Sequence, residues 1–212
     1  VTLRIEGTHD PRASTRNVLG KLDRGERWIV VSTPISGWFS CAAERGSGVA
    51  IWLALARWVA QRETSCSYLF VANSGHELNY RGAELTFESN LVPSPAETIC
   101  WIHLGANLGA SLSSQATRDK PGPGLQIMAT TEIAPRVAGE LDSLAGSELI
   151  TSGFLGEMVN VAGHDYPALG LLHHPEALPW FHTDRDTLEQ VDPQALESIA
   201  QAVQAMLSGL EA

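Results

Sequence analysis

Short apolar runs, each closed by polar or glycine-bearing turns, set the rhythm of this chain. Residues 28–32 read Trp-Ile-Val-Val-Ser, a continuous apolar run of strand length rather than an alternating one. A run of that kind suits a strand covered on both faces, with helices above and below the sheet. Residues 68–72, 98–104, 125–129 and 168–172 repeat the signal. Residues 1–6 alternate like a strand, 9–14 form a turn, and 17–22 form a second short strand closed by the polar turn at 23–26.

Between these runs the period changes to that of a helix. Over 48–62, Val49, Leu53, Ala56 and Val59 or Ala60 recur near i, i+4, i+7 and i+11, which predicts an amphipathic helix opened by Ser47 and Gly48. Residues 81–89 and 134–144 predict two more helices, and 120–124 a flexible stretch. The last helix is predicted over 192–207. Asp192 is placed to cap it, Pro193 sits in its first turn, and Leu196, Ile199, Val203 and Met206 form one apolar stripe. Strands alternating with helices predict a single α/β domain with a mainly parallel sheet and helices on both faces. No internal repeat is present.

Composition narrows the classes of function. The 212 residues are 44% hydrophobic, enough for one substantial core, and no apolar stretch approaches the roughly 20 residues of a membrane-spanning helix. Net charge is -10 and the 14 basic residues are scattered, so neither nucleic acid nor a membrane is an expected partner. Cys41, Cys66 and Cys100 lack a metal-binding spacing and read as buried free thiols, which favours a cytoplasmic location. The chain begins at Val1 within an alternating segment, which leaves room for a further domain or chain at the N-terminus.

In an open α/β sheet the ligand site gathers in the loops that follow the carboxyl ends of the strands. Those loops are 33–45, 73–80, 105–109 and 173–187, and they or the strand ends carry Glu44, the His76-Glu77 pair, His103, and His182 with Asp186. Carboxylates and imidazoles together are competent zinc ligands, although no HExxH pair occurs. Each has an alternative reading. Glu44 is placed to pair with Arg45 or to sit at the helix start, His76 and Glu77 to bond each other, and His182 to bond Asp186. His103 reads as a satisfied strand histidine, and His164-Asp165 and His173-His174 as surface or loop groups. Trp38, Phe39 and Trp180 either line a substrate pocket or pack structurally.

Four segments stand in order along the chain: Asn17-Val18-Leu19-Gly20 with the run from Trp28 to Ser32; Ala43-Glu44-Arg45-Gly46-Ser47-Gly48-Val49-Ala50; Phe70 to Glu77 with Gly82 beyond it; and Phe181-His182-Thr183 with Asp186-Thr187 and Val191-Asp192. Their order from Asn17 to Leu207 resembles that of the co-catalytic zinc aminopeptidases, whose relatives include glutaminyl cyclases and the non-catalytic domain of transferrin receptor. The first segment resembles that family's opening strands, the second its Asp-Asn-x-Ser-Gly signature, the third its strand ending in Glu-Glu, and the last its closing pattern.

The resemblance implies a three-layer α-β-α sandwich of zinc exopeptidase architecture, with a peptide or small amide as substrate. It places Glu44 at the bridging Asp, Glu77 at the second Glu of the pair and His182 at the terminal His. The implied metal is one zinc held by Glu44, Glu77 and His182. His76 stands where the family has its general base, as a base or an extra ligand. The first metal's own ligands fall at Thr33 to Ser36 and at Gly105 or Ala106, where none is present, and His103 lies nearby as a substitute. Two functions follow: a metallopeptidase-like hydrolase with at most one zinc, or a catalytically inactive peptidase-like domain for binding or assembly.

Overall fold

A computed structural model describes residues 2, 4, 6–8, 10–111, 124–141, 144, 147–174 and 178–211. The strand expected at 1–6, the flexible stretch at 120–124 and the end of the helix expected at 134–144 fall largely outside these residues.

Seven strands form one sheet: β1 (Val18–Leu22), β2 (Trp28–Pro34), β3 (Ser67–Asn73), β4 (Thr98–Leu104), β5 (Leu125–Ala129), β6 (Glu148–Ile150) and β7 (Ala168–His173). Their order is β1-β3-β2-β4-β7-β5-β6. The four central strands β3, β2, β4 and β7 run parallel. Antiparallel pairing occurs at the flanks, between β1 and β3 and between β5 and β7.

The helices are α1 (Ser47–Ala60), α2 (Arg81–Glu88), α3 (Ala134–Leu141), α4 (Met158–Gly163) and α5 (Pro193–Glu211). Successive residues of a strand point to opposite faces, and the core divides accordingly. Ile29 and Val31 pack with Ile51, Leu55 and Val59 of α1, Val137 of α3 and Val203 and Leu207 of α5. Val30, between them, joins Leu69, Val71 and Trp101 against Met158 and Val161 of α4 and Phe87 of α2. These are the three layers that the apolar runs and the resemblance predict. No helix among the described residues is long and apolar enough to cross a membrane.

Two local readings are corrected. The buried stripe of α1 is Gly48, Ile51, Trp52, Leu55 and Val59, whereas Leu53 is 55% exposed. The helix is turned from the face expected because Trp52 reaches back to the sheet, where its Nε1 donates to the Val31 carbonyl at 3.0 Å. The elements β6 and α4 were not foreseen; at three and six residues they are too short to show a period. The thiols of Cys41, Cys66 and Cys100 are buried and free, as expected.

Candidate functional site

The parallel strands β2, β3, β4 and β7 deliver their C-terminal loops to one edge of the sheet, around a cavity of about 480 Å³. Before α1 enters the core the chain makes one wide turn over Ala42–Gly46. There the Cys41 carbonyl accepts from both Arg45 N (3.1 Å) and Gly46 N (3.0 Å). Wide turns of this kind favour functional positions because they shift the phase of side chains by one residue. Here Ala43, Glu44 and Arg45 are all buried in succession.

The turn is held from across the chain by Asp186, whose carboxylate accepts from Ala43 N at 2.7 Å and Glu44 N at 3.0 Å. A buried carboxylate at a helix start answers backbone N–H groups that have no partner within the helix. Asp186 therefore does not bond His182 as the sequence suggested. His182, in a left-handed backbone conformation (φ 58°) and stacked on Phe181 at 3.9 Å between ring centroids, sets its Nε2 3.1 Å from Glu44 Oε1.

The site is thus built around Glu44, which is 1% exposed. Its Oε1 forms an ion pair with Arg45 Nη2 at 2.8 Å, and its Oε2 accepts from the Cys41 thiol at 3.4 Å. Arg45 Nη2 also donates to Glu77 Oε1 at 2.9 Å, while Nε donates to the Ser36 carbonyl at 2.9 Å. Glu44 and Glu77 are thereby bridged by one buried guanidinium. Burial, with the nearby Glu44 carboxylate, pushes the Cys41 thiol up to about 12, so it is a neutral donor and not a nucleophile.

Neither His76 nor Glu77 bonds the other. His76 Nδ1 lies 3.0 Å from Glu157 Oε1, just ahead of α4, and Asn73 Nδ2 donates to Glu157 Oε2 at 2.9 Å. Burial is the largest influence on Glu157 and works to raise its pKa. The hydrogen bond from His76, the proximity of His103 and the Asn73 amide outweigh it and hold the carboxyl below its ordinary value. A carboxylate only accepts, so the His76 proton sits on Nδ1 and Nε2 carries the lone pair. The backbone N–H of His76 donates to Ser36 Oγ at 2.9 Å. Ser36, in the segment that lacks the first metal's ligands, thus holds both His76 and Arg45.

His103 is the satisfied strand histidine expected, and it also lines the same cavity. Trp101 Nε1, a donor only, bonds Ser32 Oγ at 2.7 Å, and the Ser32 hydroxyl lies 3.0 Å from His103 Nδ1. These groups are satisfied together when Ser32 donates to Nδ1 and the imidazole keeps its proton on Nε2. Burial lowers the His103 pKa to about 4, so the ring is neutral.

Other expectations fall differently. His173 is buried, with Nδ1 3.0 Å from the Asn107 carbonyl, and is not a surface group. Trp38 and Phe39 are 52% and 70% exposed and Trp180 is buried in a small separate cluster, so none lines the cavity. Phe181 and Tyr80 supply its aromatic surface. Of the residues that sequence reasoning missed, Glu157 stood in a stretch with no assigned element. Arg45 was foreseen only as a partner of Glu44.

The family model of Peptidase family M28 matches residues 31–207. The chain belongs to peptidase family M28. No curated protein sequence matches it. Among solved structures, BSAP, a zinc aminopeptidase from Bacillus subtilis, is similar at 16% identity and TM-score 0.74, over 90% of this chain and 49% of that one. LapB from Legionella pneumophila is similar at 15% identity and TM-score 0.76, over 92% and 55%. A glutaminyl cyclase from Porphyromonas gingivalis is similar at 13% identity and TM-score 0.67, over 91% and 75%. The chain spans about half the length of the aminopeptidases it matches.

The M28 frame raises the question of whether zinc suits these residues. Ligand atoms of Glu44, Glu77 and His182 lie within 4.8 Å of one another, a spacing on the scale of a metal centre. Yet Glu44 Oε1 and Glu77 Oε1 are both engaged by Arg45 Nη2, at 2.8 and 2.9 Å, and His182 Nε2 faces Glu44 rather than a common centre. A zinc ion needs those lone pairs at roughly 2.0–2.2 Å. As arranged, the three groups do not fit a metal, because a side-chain cation already holds the two carboxylates and the imidazole is turned to one of them.

Proposed function

We propose that this M28 chain is a hydrolase-type domain that binds a peptide or small amide in the strand-end cleft and uses His76 as its base. The observation that carries the reading is the buried Glu157 carboxylate on His76 Nδ1, which leaves Nε2 as an acceptor in the cavity wall. A histidine so oriented takes a proton from a nucleophile near neutral pH, and the carboxylate stabilises the imidazolium that forms.

A water proton passes to His76 Nε2 while the water oxygen bonds the amide carbon, and the same proton then goes to the leaving nitrogen as the carbon–nitrogen bond breaks. Charge that develops on the carbonyl oxygen requires donors. His103 Nε2–H and Arg45 Nη1 offer them: both residues line the cavity, and Nη1 has no hydrogen-bond partner among the described residues.

A second reading, a domain that binds such ligands without turnover, is favoured by the lack of metal-ligand side chains at Thr33 to Ser36 and at Gly105 and Ala106. Incubating the chelator-treated chain with a peptide library of mixed N-termini, and counting new termini by mass spectrometry, separates the two. Release above background that disappears in His76→Ala supports the hydrolase. Release equal to background in both proteins leaves the binding domain.

A further inference from the structure

We propose that Arg45 stands in the place of the metal, so that the chain binds no zinc, and that Glu44, Glu77 and His182 form a latent zinc site which opens when the guanidinium is removed. The inference concerns charge and ligation, and it holds whether or not the cleft turns over a substrate.

Arg45 is built into the site rather than resting on it. The residue is 5% exposed: Nε donates to the Ser36 carbonyl, Nη2 donates to Glu77 Oε1, and the same Nη2 forms an ion pair with Glu44 Oε1 at 2.8 Å. The wide turn at Ala42–Gly46 that carries it is fixed at its start by Asp186. A guanidinium stays charged at every pH at which the protein is folded. It therefore offsets one of the two carboxylate charges permanently, whereas a bound ion exchanges with solvent. Two carboxylates with one guanidinium leave less negative charge to attract a divalent ion than two carboxylates alone. The oxygens that would ligate that ion are the ones Nη2 occupies.

The same geometry states what removal would do. With the guanidinium gone, Glu44 Oε1, Glu77 Oε1 and His182 Nε2 remain within 4.8 Å of one another, two oxygens and one imidazole nitrogen. Three protein ligands with one open position are a recognised zinc arrangement. Cys41 is not part of that set: its thiol groups with Glu44 and Asp186, not with Glu77 and His182.

The test is metal uptake, which does not depend on activity. Chelator-treated wild-type chain is titrated with zinc chloride by calorimetry, dialysed and assayed for bound metal, beside Arg45→Met, Arg45→Lys and the double variant Arg45→Met/His182→Ala. The expected result is no stoichiometric zinc in the wild type or in Arg45→Lys, which keeps the cation. About one zinc per chain is expected in Arg45→Met, falling at least tenfold in affinity in the double variant. Arg45→Met leaves carboxylates unpaired, so it is also refolded with and without zinc; recovery that requires zinc and is not given by magnesium supports the proposal. About one zinc per wild-type chain, lost in Glu77→Ala, overturns it. So does an Arg45→Met protein that folds and takes up no zinc.

Discussion

His103 gives a measurable link between the fold and acid. It sits on β4 at 1% exposure and holds a pKa of about 4 against an ordinary 6.5, chiefly through burial, with Glu157 opposing and His76 and Arg45 reinforcing the shift. The folded protein thus keeps the ring neutral between pH 6.5 and 4, while the unfolded chain takes up a proton. Stability is therefore lost as pH falls through that window. From these two values the loss between pH 7 and pH 5 is ~2 kcal/mol, reaching ~3 kcal/mol at pH 4. For a chain of this length 2 kcal/mol corresponds to a fall in Tm of roughly 4–8 °C.

The perturbation is His103→Asn, which sets an amide oxygen near the place of Nδ1 and keeps an acceptor for Ser32. The smaller side chain costs stability at every pH, so the informative quantity is the slope. Urea denaturation at pH 7, 6 and 5 should show a pH dependence smaller by about 2 kcal/mol in the variant. His173, also lowered by burial, contributes equally to both proteins. Stopping at pH 5 limits any contribution from Glu157, whose carboxyl is held below its ordinary value. Parallel slopes in wild type and variant would refute the reasoning, since the neutral buried ring would then have no thermodynamic consequence.

Other outcomes follow from the geometry. Replacing His76 by Ala should lower any turnover by about 10²–10⁴-fold, the usual contribution of a positioned base. Glu157→Gln should leave substrate affinity nearly intact while lowering kcat and displacing its pH profile, because the amide no longer fixes the tautomer; an unchanged profile contradicts a positioning role. Asp186→Ala leaves two buried N–H groups without acceptors, and calorimetric unfolding should show a loss of about 3–5 kcal/mol. Gly82→Ala would bring a methyl group to 1.8 Å from the Ser74 carbonyl, so the backbone must move; a cost of about 1–3 kcal/mol in denaturant titration is expected.

The frame of the molecule was legible where burial imposes one pattern on every residue. Strands β2, β3 and β4 are continuous apolar runs because helices cover both faces. Helix α5 shows its stripe because one face meets α1 and α3. The site was legible as far as residue types at fixed places allow: Glu44, Glu77 and His182 do meet. What they do together was not. Whether a carboxylate pair faces a metal or a guanidinium depends on the direction of Arg45, which is set by the wide turn and by Ser36, and neither leaves a periodic trace. Glu157 was hidden for a different reason. A lone acidic residue before a six-residue helix looks like any exposed glutamate until β3 and the loop after it are folded against it.

The span of the Asp186 bonds bears on how the protein comes into being. They join positions 142 and 143 residues apart, and the contact between His182 and Glu44 spans 138. Contacts this distant close late, after the loops between them have lost their freedom. During synthesis the first strands can pair, and their apolar faces can be covered in part, long before the segment bearing His182 and Asp186 leaves the ribosome. The cleft is then the final region to mature, and a nascent chain stopped short of residue 180 would carry most of the sheet without a finished site. Ligand binding should consequently report arrival of the segment bearing His182 and Asp186 more faithfully than any signal from secondary structure.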